Sequence, residues 1–297
     1  MKVLSLFDGI SCGMVALERA GIPVERYVAY EIEPNAIKIS QKNYPQIEHC
    51  GDVTTADFTQ YQGFDLLIGG SPCTNFSCSK NHKAKIAKER NAEEGEGWAL
   101  FLQYVRALKE AKPVYFLYEN NFRNPKNITE AISNALGVQP IAIDSALVSA
   151  QRRKRLYWTN IPYVSQPKDK GIVLKDIFVY DPLLVRTDDR IARTAVYKKN
   201  YVQYDLAGKG HFSEPYRLHY LSGKAPTLPR CRTESKCNML LDLGDVTKYK
   251  IISPVEAERL QTLPDNYTDC VPKTRRFEAI GNGWTVDVIA HIFTGLT

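Results

Sequence analysis

The first half of the chain alternates between short apolar runs and longer stretches with apolar residues at helical spacing. The runs that predict strands are KVLSLF (2–7), YVAYEI (27–32), DLLIGG (65–70), VYFLYEN (114–120), PIAIDS (140–145) and RLYWTN (155–160). The stretches that predict helices are GMVALERAG (13–21), PNAIKISQKNY (34–44), WALFLQYVRALKEAK (98–112) and ITEAISNALG (128–137). Strand–helix alternation of this kind predicts an α/β fold, with a doubly wound and mostly parallel sheet covered by helices.

The pattern changes after about residue 165. The following segment is rich in Lys, Arg, Tyr, Gly and Pro and has no long helical period, so a smaller, loop-rich domain is expected over 166–273. The last residues become helical again and are expected to return to the first domain. The predicted domains are therefore 1–165 plus 274–297, and 166–273.

Composition excludes several classes of protein. The chain has 297 residues, of which 44% are hydrophobic, and no window approaches the roughly 18 consecutive apolar residues of a membrane span. The N-terminal run meets Asp8 too early for a signal peptide. Seven cysteines without a C-x-x-C pair favour reduced thiols over disulfides or a zinc site, so no metal is expected. A formal net charge of +6 allows a polyanionic partner without requiring one.

Acidic residues end three successive strands of the predicted sheet. Ligands of such sheets bind beyond the carboxyl ends of the strands, where Asp8, Glu31 and Asp52 follow one another. An acid after the second strand is typical of a group that accepts from ribose hydroxyls, and Asp52 could accept from an adenine amine. The loop SLFDGISCG (5–13) lacks the G-x-G-x-x-G spacing, so a nucleoside cofactor is favoured over a pyrophosphate cofactor.

A second group of strand ends carries reactive side chains. In GGSPCTNFS (69–77), two glycines and Pro72 are expected to aim the thiol of Cys73 at a cleft, although a small buried residue is the alternative. Glu119 ends the strand VYFLYEN, where shielding by Tyr118 and Phe116 is expected to help its carboxyl keep a proton. Three residues of QRRKRLYW share one face in extended geometry, namely Gln151, Arg153 and Arg155.

The order of these motifs resembles that of the cytosine-5 DNA methyltransferases along nearly the whole chain. FDGISCG, Glu31, Asp52, GGSPC, ENN, QRRKR and GNGWTV follow one another as they do in that family, and RLQTLPDNY is similar to the stretch before its last motif. GGSPC and EGEGWALF look most similar to the de novo-type animal enzymes. The resemblance implies the fold of S-adenosylmethionine-dependent methyltransferases, with S-adenosylhomocysteine as the product.

The resemblance also implies a reaction. Cys73 would add to carbon 6 of a cytosine, and Glu119 would hold a proton at ring nitrogen 3. Asn120 would help position Glu119 and the Pro-Cys loop, while Arg153 and Arg155 would bind the base oxygen. Carbon 5 would then take a methyl group. Because a duplex hides this base, the enzyme would have to flip it out.

By the same resemblance, a set of residues would surround the cofactor. These are Phe7, Asp8, Gly9, Ile10, Cys12, Gly13, Glu31, Ile32, Asp52, Val53, Pro72, Leu100, Asn282, Gly283 and Trp284. Glu31 would hold the ribose, and Ile32 and Val53 would flank the adenine. A core aromatic is the alternative for Trp284.

The resemblance implies that two basic segments of the chain bind duplex DNA. In SCSKNHKAKIAKER (77–90), which resembles a loop that closes over DNA, the candidates are Lys80, Lys83 and Lys85. In the target-recognition region (166–235), they are Arg186, Arg193 and Lys198, among other cations. A solvated basic surface is the alternative for both. Asn121 departs from the family, which usually has Val there.

Other functions remain open at this stage. An RNA cytosine-5 methyltransferase acting on transfer RNA would use the same residues, and a catalytically silent DNA-binding activator would keep the fold. The complete set of Cys73, Glu119, Arg153 and Arg155 argues against the silent protein. The sequence leaves the choice between monomer and dimer undecided. An enzyme of this kind is expected in the cytoplasm of a prokaryotic or virus-infected cell, restriction-linked or orphan, or in a eukaryotic nucleus.

Overall fold

A computed structural model describes residues 1–72, 95–205, 216–230 and 237–297. Cys73 and the three candidate lysines Lys80, Lys83 and Lys85 lie outside these described residues. The chain divides into two compact units. The first unit contains Met1–Ile143, Lys154–Gln166 and Ile289–Thr297, and the second contains Asp144–Arg153 and Pro167–Val288. In the described residues, no helix has the length and apolar character needed to cross a membrane.

The first unit is built around a seven-stranded sheet with the order β3-β2-β1-β4-β5-β7-β6. Its strands are β1 (Lys2–Leu6), β2 (Arg26–Tyr30), β3 (Glu48–His49), β4 (Leu66–Gly69), β5 (Tyr115–Asn121), β6 (Ile141–Asp144) and β7 (Lys154–Thr159). The pairs from β3 to β5 are all parallel, and β7 runs antiparallel to β5. The prediction of a mostly parallel α/β sheet is therefore confirmed.

In the described part of the first unit, four helices follow strands of this sheet as the alternating pattern predicts. They are α1 (Cys12–Arg19), α2 (Pro34–Asn43), α3 (Gly95–Ala111) and α4 (Lys126–Leu136). α2 begins at a proline, and the Glu33 carboxylate accepts a hydrogen bond from the Ala36 amide, which caps the helix. α4 ends before Gly137, whose φ of 73° suits a residue without a side chain.

The core of the first unit explains why its strands are continuous apolar runs. Leu66, Leu67 and Ile68 of β4 are completely buried, as expected for a parallel strand covered on both faces. The Tyr118 ring packs against Tyr104 and Trp158, with ring centroids 4.9 Å and 5.8 Å apart. Burying each such large side chain contributes about 1.5–3 kcal/mol to folding.

The strand order brings the predicted site residues to one edge of the sheet. Because β1 lies between β2 and β4, the order reverses there, and the carboxyl ends of neighbouring parallel strands meet at that edge. Asp8 follows β1, Glu31 follows β2, and Ser71 and Pro72 follow β4. Glu119 lies near the carboxyl end of β5, two residues before its last residue, Asn121.

The second unit contains a sheet that the sequence pattern did not predict. Its strands are β8 (Val185–Thr187), β9 (Val196–Tyr197), β10 (Tyr201–Gln203), β11 (Arg217–Tyr220), β12 (Asn238–Asp242) and β13 (Asp245–Ile251), in the order β8-β13-β12-β11-β10-β9. In the described residues, irregular stretches lie between several of these strands, so the sheet adds to the loop-rich character expected for this region. Most of these strands are only two to five residues long, too short to produce a clear alternation of apolar and polar positions.

The second unit also contains helices, and its boundary with the first unit differs from the predicted one. The helices are α5 (Leu174–Ile177), α6 (Arg190–Thr194), α7 (Pro254–Leu260), α8 (Lys273–Asn282) and α9 (Val286–Phe293), the last of which extends beyond this unit. The predicted return to the first domain at residue 274 occurs only at Ile289. The 280–285 stretch stays in the second unit because Gln261 donates to the carbonyls of Ile280 and Gly283.

Candidate active site

The loop after β1 has an unusual backbone. Phe7, Gly9 and Ser11 all have positive φ angles of 56°, 62° and 58°. This region costs a non-glycine residue about 1–2 kcal/mol, so Phe7 and Ser11 require compensating contacts. Positive φ angles at every second residue from Phe7 to Ser11 make the backbone turn between the end of β1 and the start of α1.

Asp8 supplies much of that compensation. Its Oδ1 accepts hydrogen bonds from the hydroxyls of Ser5 (2.6 Å) and Tyr27 (2.7 Å), and its Oδ2 accepts one from Ser11 (2.5 Å). A Cβ at Gly13 would lie 2.9 Å from the same Tyr27 hydroxyl and 2.3 Å from the end of the Ile68 side chain, so a larger residue there would have to displace both side chains. These contacts give Asp8 and Gly13 a role in shaping the loop.

Glu31 connects the end of β2 to this loop. Its Oε2 accepts from the Gly9 amide at 2.8 Å, and its Oε1 accepts from the amides of Ile32 (2.8 Å) and Glu33 (2.9 Å). A carboxylate has about four lone-pair sites, so these amides orient the group and leave acceptor capacity on Oε2. That remaining capacity fits a ribose hydroxyl.

The neighbouring side chains fit an adenine. Ile32 is 69% exposed, which is unusual for a large apolar residue beside a strand end, whereas Val53 is buried. Asp52 is exposed, and its Oδ1 caps the turn Val53–Thr55 by accepting from the Thr54 amide at 2.8 Å. Of the other predicted cofactor residues, Ile10 and Cys12 are buried, Leu100 is half-buried and Pro72 is exposed.

Arg106 is a supporting residue that the sequence analysis missed. From α3, its guanidinium donates to the carbonyl oxygens of Val53 (2.9 Å) and Ala56 (2.8 Å) and lies 4.4 Å from the centre of the Phe58 ring. It therefore anchors the turn that carries Asp52. The only signal in the sequence is its i,i+4 spacing to Glu110, with which it pairs at 3.1 Å.

Glu119 and Arg155 form an ion pair at the end of the sheet. The Arg155 Nε lies 3.1 Å from the Glu119 Oε1, and the two side chains are only 16% and 14% exposed. The antiparallel register of β5 and β7 pairs Asn121 with Arg155, so Glu119 lies one diagonal step away. The predicted shielding of Glu119 by Tyr118 was wrong, because successive residues of a strand face opposite sides of a sheet.

On the opposite face of β5, a buried relay of polar groups reaches the end of β4. The amide nitrogen of Asn120 donates to the Tyr118 hydroxyl at 2.9 Å, and this hydroxyl lies 2.7 Å from the Ser71 hydroxyl. Asn120, Tyr118 and Ser71 are each at most 4% exposed. The relay joins the Glu119–Asn120 strand end to the residue two positions before Cys73.

Removing the Tyr118 hydroxyl tests this relay. Tyr118→Phe leaves Asn120 and Ser71 each without one partner, so we expect unfolding in urea to become about 1–2 kcal/mol easier and methyl-transfer turnover to fall. Tyr44→Phe removes another buried hydroxyl, which donates to Glu18 at 2.6 Å, and serves as the control. It should lower stability while leaving turnover unchanged. Equal turnover in both variants would contradict a role for the relay at the site.

Exposed residues alternate with Gln151, Arg153 and Arg155, as predicted, but these three side chains make contacts that differ from one another. Gln151 and Arg153 are buried in the second unit, whereas Arg155 belongs to the first. The Arg153 guanidinium donates to the carbonyl oxygens of Leu228 (2.9 Å), Gly281 (3.0 Å) and Gly283 (3.1 Å). These contacts hold the C-terminal end of α8, at Gly281 and Gly283, and the contact of Arg153 with a base oxygen stays a prediction.

Arg153→Lys is expected to destabilise the protein. An ammonium cannot reach three carbonyls in the fixed fork that a guanidinium offers, so the free energy of unfolding should fall by about 2–4 kcal/mol. Arg152→Lys is the matched control, because Arg152 is exposed and makes one contact of 3.3 Å to the Lys224 carbonyl. Urea denaturation of the two variants measures the difference. Equal stability would show that the three contacts contribute nothing.

The candidate DNA-binding residues of the second unit are exposed. Arg186, Arg193 and Lys198 are all on the surface, and the Arg186 guanidinium also donates to the carbonyls of Leu183 and Val185. Lys198 lies in the turn between β9 and β10, where its amide donates to the Tyr201 carbonyl at 2.9 Å. In the same unit, Asn282 is exposed, Gly283 is buried and Trp284 is half-buried.

A family model matches this chain along its whole length, and individual relatives match part or nearly all of it. The family model of the C-5 cytosine-specific DNA methylases matches residues 1–297. The type II methyltransferase M.HhaI of Haemophilus parahaemolyticus is 24% identical over 322 residues, covering 98% of this chain and 93% of that protein. The orphan methyltransferase M.SPRI of Bacillus phage SPR is 32% identical over 169 residues, which cover 53% of this chain and only 37% of the phage protein.

Solved structures share the fold. A putative DNA modification methyltransferase from an Escherichia coli prophage superposes with a TM-score of 0.68 at 20% identity, covering 100% of this chain and 98% of that one. A mutant of Spodoptera frugiperda DNMT2 gives a TM-score of 0.70 at 16% identity, covering 99% of both chains. With the family model matched from the first residue to the last, the chain belongs to the C-5 cytosine-specific DNA methylase family.

Proposed function

We propose that this protein transfers a methyl group from S-adenosylmethionine to carbon 5 of a cytosine in duplex DNA, through a transient bond between Cys73 and the base. Membership of the family supports the reaction. The observation that carries the assignment of residues is the buried relay from Asn120 through Tyr118 to Ser71. It ties the strand end that bears Glu119 to the segment that leads, through Pro72, into Cys73.

The proposed chemistry uses residues of the first unit. The Cys73 thiolate adds to carbon 6, because carbon 5 of cytosine is a poor nucleophile until the ring becomes enamine-like. Glu119 holds a proton at ring nitrogen 3, which eases that addition, and Arg155 beside it stabilises the negative charge that develops on the ring. Loss of the carbon-5 proton and release of the Cys73 sulfur restore the aromatic ring and the free thiol.

The loop after β1 and the ends of β2 and β3 fit the cofactor. Glu31 would bind a ribose hydroxyl through Oε2, Ile32 and Val53 would flank the adenine, and Asp52 would accept from its amine. The backbone of residues 7–13 would lie against the methionine part. S-adenosylmethionine would supply the electrophilic methyl group that carbon 5 takes.

DNA contacts of the second unit are proposed for its exposed cations. Arg193 and Lys198 would contact phosphates or bases, as would Arg186 through the guanidinium nitrogens that its carbonyl contacts leave available. The lysines of the 77–90 segment would meet the phosphates near the flipped base.

The test is methyl transfer from radiolabelled S-adenosylmethionine to three substrates side by side: duplex DNA, single-stranded DNA and transfer RNA. We expect label in duplex DNA, at carbon 5 of cytosine, and bisulfite sequencing of that DNA then gives the target sequence. Label found only in transfer RNA would mean that the substrate is RNA instead of DNA, while the proposed methyl-transfer chemistry would stand. No label in any of them, together with no binding of S-adenosylhomocysteine, would overturn the proposed function.

A further inference from the structure

A second chain of polar groups runs beneath the loop after β1, which is called the cofactor loop from here on. The reaction proposed above does not use this chain of groups. The Ser11 hydroxyl lies 2.6 Å from the Ser40 hydroxyl of α2, and the Ser40 hydroxyl lies 3.0 Å from Nε2 of His49 in β3. Ser11 and Ser40 are completely buried. At its other end, the chain reaches Asp8 through the contact of 2.5 Å from Ser11.

The direction of every hydrogen bond in this chain follows from donor counting. A carboxylate only accepts, so the one hydroxyl proton of Ser11 goes to Asp8. Ser11 must then accept from Ser40, which spends its own proton in doing so. The hydroxyl oxygen of Ser40 is left to accept, and Nε2 of His49 must donate to it. All the donors therefore point from His49 towards Asp8.

This direction specifies the state of the imidazole. Nε2 carries the proton, and the neutral ring then has a lone pair at Nδ1. That atom is buried and has no hydrogen-bond partner among the described residues. Burial also lowers the pKa of His49 below its ordinary value of 6.5, although the negative charges of Asp8 and Glu31 act in the opposite direction.

We propose that His49 is a positioning residue for the cofactor loop, acting as the Nε2–H tautomer that donates the first hydrogen bond of the relay His49–Ser40–Ser11–Asp8. The relay fixes the hydroxyl of Ser11 while its backbone stays at a φ of 58°, and it orients the carboxylate of Asp8. The effect on cofactor affinity rests on the proposed function. The tautomer of His49 and the ordering of the cofactor loop do not depend on the proposed function.

The first test is nitrogen-15 NMR of the histidine rings in the full chain without cofactor at pH 7. The His49 signals are assigned as those that disappear in His49→Gln. We expect a pyrrole-type shift at Nε2 and a pyridine-type shift at Nδ1. Hydrogen exchange at the Ser11 amide, which donates to the Asp8 carbonyl at 3.2 Å, should accelerate in Ser40→Ala. The opposite tautomer, a charged ring, or unchanged exchange would overturn the proposal.

The second test is calorimetric binding of S-adenosylhomocysteine. His49→Ala and Ser40→Ala should each weaken binding about three- to ten-fold, as expected for one lost hydrogen bond. His49→Gln, whose amide can donate from the position of Nε2, should stay within about two-fold of the wild type. His291→Gln is the control, because His291 contacts the Ser165 carbonyl at 3.0 Å outside the relay.

The outcomes separate the two proposals. Wild-type affinity in His49→Ala would overturn the relay while leaving the proposed function intact. A wild-type protein that binds no S-adenosylhomocysteine would instead contradict the proposed function, and the relay would then be decided by the NMR and exchange measurements alone.

Discussion

Cys73→Ala is expected to abolish covalent trapping of the protein on duplex DNA that contains 5-fluorocytosine. In the wild type, the Cys73 sulfur bonds to carbon 6 and carbon 5 takes the methyl group. Fluorine cannot leave as a proton, so the sulfur–carbon bond persists and a protein–DNA adduct accumulates. Without the sulfur atom no such bond forms. Denaturing gel electrophoresis of protein incubated with the DNA and S-adenosylmethionine measures the adduct.

A second cysteine provides the control for trapping. Cys270→Ala removes the thiol of a half-buried cysteine in the second unit, and should trap as the wild type does. Binding of unmodified DNA by Cys73→Ala, measured by fluorescence anisotropy, shows that the variant is folded. Adduct formation by a folded Cys73→Ala would exclude Cys73 as the nucleophile.

Glu119→Gln is expected to lower the single-turnover rate of methyl transfer by about 10²–10⁴-fold, which is the usual contribution of a positioned acid or base. The amide still accepts from Arg155 through its carbonyl oxygen and has nearly the same shape, so the ion-pair geometry of 3.1 Å is largely kept. It cannot, however, hold a transferable acidic proton at ring nitrogen 3. Rapid-quench measurement with saturating DNA and cofactor isolates this step.

Glu48→Gln is the matched control for Glu119→Gln. Glu48 also lies in a strand of the same sheet and also pairs with an arginine, since the Arg26 Nε lies 2.7 Å from its Oε1. The Arg26 guanidinium lowers the pKa of this exposed carboxyl, but Glu48 lies outside the proposed chemistry. Its variant should turn over normally. A loss below ten-fold in Glu119→Gln would contradict the proposed proton-holding role.

The first unit could be predicted well because its sequence signals are local. The central strands β1, β2 and β4 are almost completely buried apolar runs, and the helices have their own periodicity and end signals, such as Pro34 and Gly137. The strand ends follow from the same pattern. The sequence therefore indicated that Asp8, Glu31 and Glu119 share one edge of the sheet before any contact was known.

The second unit could not be predicted in the same way. Strands as short as Val196–Tyr197 are stabilised by pairing with residues that lie elsewhere in the chain, and their own sequence carries little signal. The backbone partners of Arg153 could not be predicted for a similar reason. Its partners, Leu228 and Gly283, are 75 and 130 positions away along the chain.

The amino-acid sequence by itself determined the family, the alternating fold of the first unit and the types of group that the site offers, because motif order and periodicity are properties of neighbouring residues. Tertiary structure alone decided which group each side chain faces. Glu119 meets Arg155, Arg153 meets backbone carbonyls, and Tyr118 connects Asn120 to Ser71. Hydrogen bonds and ion pairs depend on distances of about 3 Å between atoms, and the folded chain sets those distances.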